Sequence, residues 1–175
     1  MSSAPISHMI GTMALLLTSL FVVTSFVLLG TMTQMDLVKP QLREVAEYVA
    51  SNIVDLVTLA DQTDVANLIL VKKLIIPASV GERGYRIELS DGSVVVYLGT
   101  LQTVRAEAPI NLNTPSEVEI IYNPNDGGIV GVNGLNELVE VKETLFSGSE
   151  YPLVWCVKKD GVIYVGLGVL KSSTL

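Results

Sequence analysis

The sequence predicts an α+β protein, a long N-terminal helix followed by an antiparallel β-sandwich. Three observations point there. No Asp, Glu, Lys or Arg occurs between Met1 and Met35, so an unbroken apolar run opens the chain. Beyond Pro40, apolar residues recur at intervals of three and four, the period of one helix face. From Val65 onward the period shortens to that of strands, and Asp-Gly pairs punctuate it.

The opening run, Ile6 to Leu29, is long enough to cross a bilayer, which takes roughly 20 apolar residues of helix. Apolar side chains lie all round it rather than on one stripe, so a small domain cannot cover it. Its surroundings must be lipid or copies of itself. Pro5 suits a first helical turn, where its missing N–H costs nothing. Secretory signal peptides start with a positive n-region and carry a shorter apolar core, so the segment reads as retained. Lys39 and Arg43 follow the span and no cation precedes it, which taken literally puts the C-terminal part inside the cell. A processed leader carrying positive charge would reverse that count.

Within the run, Ser7, Gly11, Ala14, Thr18 and Ser25 are spaced by four, three, four and seven, along one helical face. Small faces let helix backbones approach, and Ser or Thr hydroxyls bond to their own carbonyls or across to a neighbour. With Leu16, Phe21, Val23 and Phe26 they form the surface expected to pack in a core of helices. Small residues are also common in membrane spans generally, which is the plainer reading.

Pro40 removes one backbone hydrogen bond and crowds the preceding turn, so a kink or restart is expected there. Leu42, Val45, Val49, Ile53, Leu56 and Ala60 then repeat at three and four, with Arg43, Glu44, Glu47, Ser51 and Asp55 between them. This predicts an amphipathic helix over 40–61. Its apolar face (Leu42, Val45, Val49, Ile53, Leu56) should pack on an open face of the sheet. The two helical pieces together would reach on the order of 80 Å at 1.5 Å per residue. The expected organisation is a helix over 1–62, apolar over 6–35, and a globular domain over 65–175.

In that domain Asn67–Ile76 is rich in Leu, Ile and Val and stops at Pro77. Tyr85–Leu89 alternates, and Ser90-Asp-Gly-Ser93 turns it into Val94–Leu98, since Asp-Gly supplies the positive φ of a tight hairpin. Further strands are expected at 100–107, 117–122 and 138–145. A closing hairpin, Pro152–Lys158 and Val162–Leu170, turns at Lys159-Asp-Gly161. Seven or eight short strands with regular turns suggest an immunoglobulin-like sandwich. Asn123–Gly128 and Gly131–Gly134 mark the loosest loop.

Composition narrows the function. The formal charge of −7 falls entirely beyond the apolar run, and 11 Lys and Arg against 18 Asp and Glu argue against nucleic acid. The single cysteine, Cys156, cannot form an internal disulfide and sits in the apolar pattern Leu153-Val-Trp-Cys-Val157 of a core strand. The single histidine, His8, lies at the foot of the apolar run, which removes a Ser-His-Asp site. No metal-ligand spacing occurs, and Gly166-Leu-Gly168 stands in a strand rather than before a helix, unlike a dinucleotide loop. No catalytic residue, cofactor or metal is therefore expected, and an enzyme is not. Glu82, Arg83, Tyr85 and Arg86, set among glycines, form either a contact loop between neighbouring subunits or an exposed turn with a weak ion pair.

A charge-free apolar helix running into an amphipathic helix and then a β-sandwich resembles archaeal type IV pilins and the related archaellum filament subunits. Ile6-Ser-His-Met-Ile-Gly-Thr12 is similar to the Ser-X-X-Ile-Gly start of such chains. Leu42–Ala50, followed by Leu74-Ile-Ile-Pro-Ala-Ser-Val-Gly-Glu-Arg-Gly-Tyr-Arg-Ile87, is similar to archaeal surface pilin-like proteins. The resemblance covers the helix and first strands. It implies a subunit held in the membrane before assembly, a prepilin peptidase that removes a basic leader, and an assembly ATPase. It further implies a cell-surface homopolymer whose helices fill the core and whose β-domains form an adhesive wall. This chain departs from the family where no Lys or Arg precedes the apolar run. The alternative is a single-pass anchored ectodomain, such as an archaellum stator-like protein gripping a surface layer.

Overall fold

A computed structural model of the chain describes residues 4–90, 92–99, 104–112, 120–122, 138–159 and 161–171. One helix, α1, runs from Ala4 to Gln62. Strands follow in the order β1 (Asn67–Lys73), β2 (Tyr85–Ser90), β3 (Ser93–Leu98), β4 (Arg105–Pro109) and β5 (Ile120–Tyr122). Then come β6 (Val139–Lys142), β7 (Thr144–Phe146), β8 (Pro152–Lys159) and β9 (Val162–Leu170). The chain divides into two compact units, Met1–Leu37 and Val38–Leu175. The second unit therefore begins inside the helix.

Pro40 lies within α1 and does not end it. A proline costs one helical hydrogen bond, and immediately around it the helix gains packing. Val38, Leu42, Val45, Ala46, Val49, Ala50, Ile53, Leu56, Val57 and Ala60 are all buried. Each fully buried Leu, Ile or Val is worth about 1.5–3 kcal/mol, so the stripe outweighs the lost bond.

The strands form two sheets in a sandwich-like pair. The four-stranded sheet has the order β4-β3-β2-β7, all antiparallel. The five-stranded sheet runs β1-β8-β9, and the far edge of β9 is shared. There β5 pairs with Ile163–Val165 and β6 with Leu167–Leu170. β5 runs parallel to β9, so the sheet is not wholly antiparallel. The strand expected over 138–145 is two strands that join different sheets: β6 pairs with β9, whereas β7 pairs with β2. β1 stops at Lys73, three residues before the expected end. The hairpin turns after β2 and β8 carry Gly92 and Gly161 at φ of 81° and 83°, backbone that glycine adopts without strain. The loop expected over 123–134 and strand residues 117–119 lie outside the described residues.

One core joins three layers. The α1 stripe meets the inner faces of β2 and β3 (Tyr85, Ile87, Leu89, Val94, Val96, Leu98) and of β8 and β9 (Val154, Cys156, Ile163, Val165, Leu167). On the other face of the five-stranded sheet, Leu153, Trp155, Val157 and Val139 form a second, smaller core, with Ile69, Val141 and Tyr164 against it. β8 is thus buried on both sides, which explains why its first six residues read as a continuous apolar run.

Candidate functional site

In the unit Met1–Leu37, His8–Gly30 is long and apolar enough to cross a membrane, and none of it is buried within the chain. Leu16, Phe21, Val23 and Phe26 are exposed, as are the neighbouring Leu15, Leu17, Leu20 and Val27. On the small face, Ala14 and Thr18 are exposed, Ser25 is half-buried, and a Cβ at Gly11 would meet nothing within 4 Å. The side chain of Ser7 lies outside the described residues. Several hydroxyls bond to their own helix. Thr18 donates to the Ala14 carbonyl at 2.8 Å, Thr24 to Leu20 at 2.7 Å, Ser25 to Phe21 at 2.8 Å and Thr33 to Leu29 at 2.9 Å. These four hydroxyls need no partner elsewhere, so close packing against hydrocarbon or against another helix carries no desolvation cost from them.

In the unit Val38–Leu175, Leu42, Val45, Val49, Ile53 and Leu56 all lie in the core shared with both sheets. Polar contacts fix the helix on the five-stranded sheet. Lys72 Nζ reaches Asp55 Oδ2 at 2.9 Å, from β1 to α1. Lys158, on the same sheet face as Val154 and Cys156, donates to the carbonyls of Ala60 (3.0 Å), Asp61 (3.5 Å) and Thr63 (2.8 Å). Those carbonyls close the C-terminus of α1, where a cation also favours the helix dipole. No local pattern signals this cap, because it joins residues 98 positions apart.

The glycine-rich segment before β2 separates into turn and core. Val80 and Arg83 exchange both backbone hydrogen bonds, at 2.9 and 3.1 Å, across a turn with Gly81 and Glu82 at φ of 55° and 62°. Glu82 and Arg83 are exposed and available for contacts. Tyr85 is not: it is 2% exposed, and its hydroxyl donates to the Pro77 carbonyl at 2.6 Å. Burial pushes its phenol up to about 12. Strand alternation starts at Tyr85 and turns it inward, so it belongs to the core and not to a contact loop. Arg86 points the other way, half-buried, with its guanidinium 4.8 Å from the Tyr97 ring centre.

Beside this turn a groove of about 450 Å³ opens between α1 and the chain after β1, lined by Glu44, Val45, Tyr48, Ile75, Pro77 and Val80. Ile75 is 83% exposed at its edge, and its N–H donates to Tyr48 Oη at 3.2 Å. Cys156 is buried in the core, and desolvation raises its thiol to about 12, which keeps it protonated and unreactive. Among the described residues no three His, Cys, Asp or Glu side chains stand close enough together to hold a metal ion. Comparison with protein-family models, curated proteins and solved structures finds no match to the chain.

Proposed function

We propose that this chain is the structural subunit of an extracellular, type IV pilus-like filament. In this reading the apolar helices pack in the filament core and the β-domains form the outer surface, where adhesion takes place. The observation that carries it is the segment His8–Gly30, apolar on every side and unburied by its own chain. In water, each exposed Leu, Phe or Val forgoes about 1.5–3 kcal/mol, so outside a membrane the segment requires other copies around it. The subunit would exchange lipid contacts for helix contacts as it leaves the membrane. The small face at Gly11, Ala14, Thr18 and Ser25 supplies close approach for that exchange. The resemblance to archaeal pilins in the Ile6–Thr12 start supports the same reading.

A second reading is a single-pass anchored ectodomain. The hydroxyls of Thr18, Thr24, Ser25 and Thr33, already bonded to their own helix, permit it, because they sit in lipid as comfortably as in a bundle. Shearing cells and pelleting the released material separates the two. A filament subunit appears as ordered fibres by electron microscopy of the detergent-free pellet. An anchored protein stays with the membranes until detergent releases it, and that result would reject the filament.

A further inference from the structure

The outer face of the four-stranded sheet is ordered in rows. Strand register places Arg105, Tyr97, Arg86 and Phe146 side by side across β4, β3, β2 and β7. Two residues along, it places Glu107, Val95, Glu88 and Thr144 side by side in the same strand order. All eight alternate with inward residues and share the outer face. Arg105, Glu107 and Phe146 are exposed; Arg86, Glu88, Tyr97 and Thr144 are half-buried; Val95 is buried. Arg86 Nε lies 3.1 Å from Glu88 Oε1, yet that nitrogen is buried and among the described residues has no hydrogen-bond partner. One row is thus cationic and aromatic, and its neighbour is anionic and small.

We propose that this face docks onto the same face of a second copy of the chain, related by a two-fold axis. An axis lying between the two faces and parallel to the rows exchanges one row for the other and leaves each strand opposite its own counterpart. Arg86 then faces Glu88 of the second copy, Arg105 faces Glu107, Tyr97 faces Val95 and Phe146 faces Thr144. Every cation meets a carboxylate and every ring meets a smaller side chain. An axis parallel to the strands instead sets Arg105 against Phe146, Arg86 against Tyr97, Glu107 against Thr144 and Glu88 against Val95, which leaves every charge without an opposite charge facing it. A polyanion or a polycation would match one row and be repelled by the other, so a charge-balanced, self-complementary surface selects its own copy.

The four strands span about 14 Å at about 4.8 Å spacing, well below a standard-sized interface. The contact is therefore weak between two isolated chains and gains strength where copies are arrayed, through effective concentration. It does not rest on the filament reading, since anchored domains on one surface would be arrayed as well.

The test uses the full chain in detergent micelles, with micelles in excess, and reads association by sedimentation velocity. The variants are Arg86→Glu and Glu88→Arg. The wild type is expected to dimerise weakly, and each variant alone to dimerise at least about tenfold more weakly, as like charges now oppose. An equimolar mixture of the two variants is expected to recover to within about threefold of wild type, because both carboxylates of one copy then meet both guanidinium groups of the other. Two misfolded variants cannot rescue each other, so recovery separates docking from damage to the fold. A wild type that stays monomeric up to about millimolar concentration, variants that associate as the wild type does, or a mixture no better than its components would each overturn the proposal.

Discussion

The indole of Trp155 lies over Gly166, its directly opposed partner in the β8–β9 hairpin. A Cβ on Gly166 would stand 2.1 Å from Trp155 Cζ2 and 2.5 Å from Cε2, well inside van der Waals contact. The indole N–H donates to the Leu167 carbonyl at 3.0 Å, so ring and strand are fixed to each other. Gly166 also falls between the stretches of β9 that β5 and β6 occupy.

Gly166→Ala should therefore destabilise the fold by about 1–3 kcal/mol, the usual cost of overpacking. Urea unfolding followed by far-UV circular dichroism measures it, a readout that does not depend on the chain's one tryptophan. Combining it with Trp155→Leu, which removes the clashing ring, should cost less than the sum of the two single changes. Strict additivity would show that the two residues do not meet.

Lys158→Met keeps the aliphatic stem and removes the ammonium from the end of α1. The carbonyls of Ala60, Asp61 and Thr63 lose a shared charged donor, which should cost about 1.5–3 kcal/mol. Amide hydrogen exchange should speed up over the last turn of the helix before anywhere else. Uniform acceleration across both sheets would argue against a local cap.

Leu16→Lys or Val23→Lys sets a charge in the middle of the apolar helix, where it is costly in either lipid or a helical core. On the filament reading, loss of fibres from the sheared fraction is expected, with the thermal unfolding transition of the Val38–Leu175 unit unchanged in detergent. Normal fibres from either variant would remove the helix from the assembly.

Alkaline pH should loosen the fold. The Cys156 thiol is raised from 9.0 to about 12 and the Tyr85 phenol from 10.0 to about 12, both by burial. Between those values the unfolded chain releases these protons while the folded chain keeps them. Stability is therefore intact below pH 9 and falls progressively as the pH rises through 9 and 10 towards 12. The fall is steepest between pH 10 and 12, where both groups contribute, each by up to about 1.36 kcal/mol per pH unit. Thiol labelling of Cys156 should remain blocked until this loss of stability begins. A stability curve flat from pH 8 to 11 would contradict the burial of both groups.

Gly81→Ala and Glu82→Gly should act in opposite directions. At Gly81 the positive φ disfavours a side chain, and a Cβ would come within 2.6 Å of Val38 Cγ2, so the substitution should cost about 1–3 kcal/mol. Glu82 already holds φ at 62°, and glycine there relieves strain, raising the urea midpoint by up to the equivalent of about 1 kcal/mol.

Much of the fold was legible because it is written in local periods. The stripe from Leu42 to Ala60 repeats at the helical interval, and the turns at Gly92 and Gly161 sit where Asp-Gly pairs fall. What was not legible depends on distant partners. That the helix would run on through Pro40 depends on the buried stripe around it, and strand alternation alone could not show that Tyr85 finds the Pro77 carbonyl. The split between β6 and β7 follows from pairing with β9 and β2, which leaves no trace in the residues from 138 to 146. The row order of the outer sheet face became visible only once the register of four strands was known.

The pairing of β1 with β8 has a consequence for how the protein is made. Asn67 opposes Lys159, and Lys158 caps a helix completed almost a hundred residues earlier. On the ribosome, the part of the α1 stripe that β8 and β9 cover stays open until those strands have emerged. Closing so long a loop is slow compared with forming a helix. Translation halted just before β8 should leave the nascent chain the most prone to aggregate.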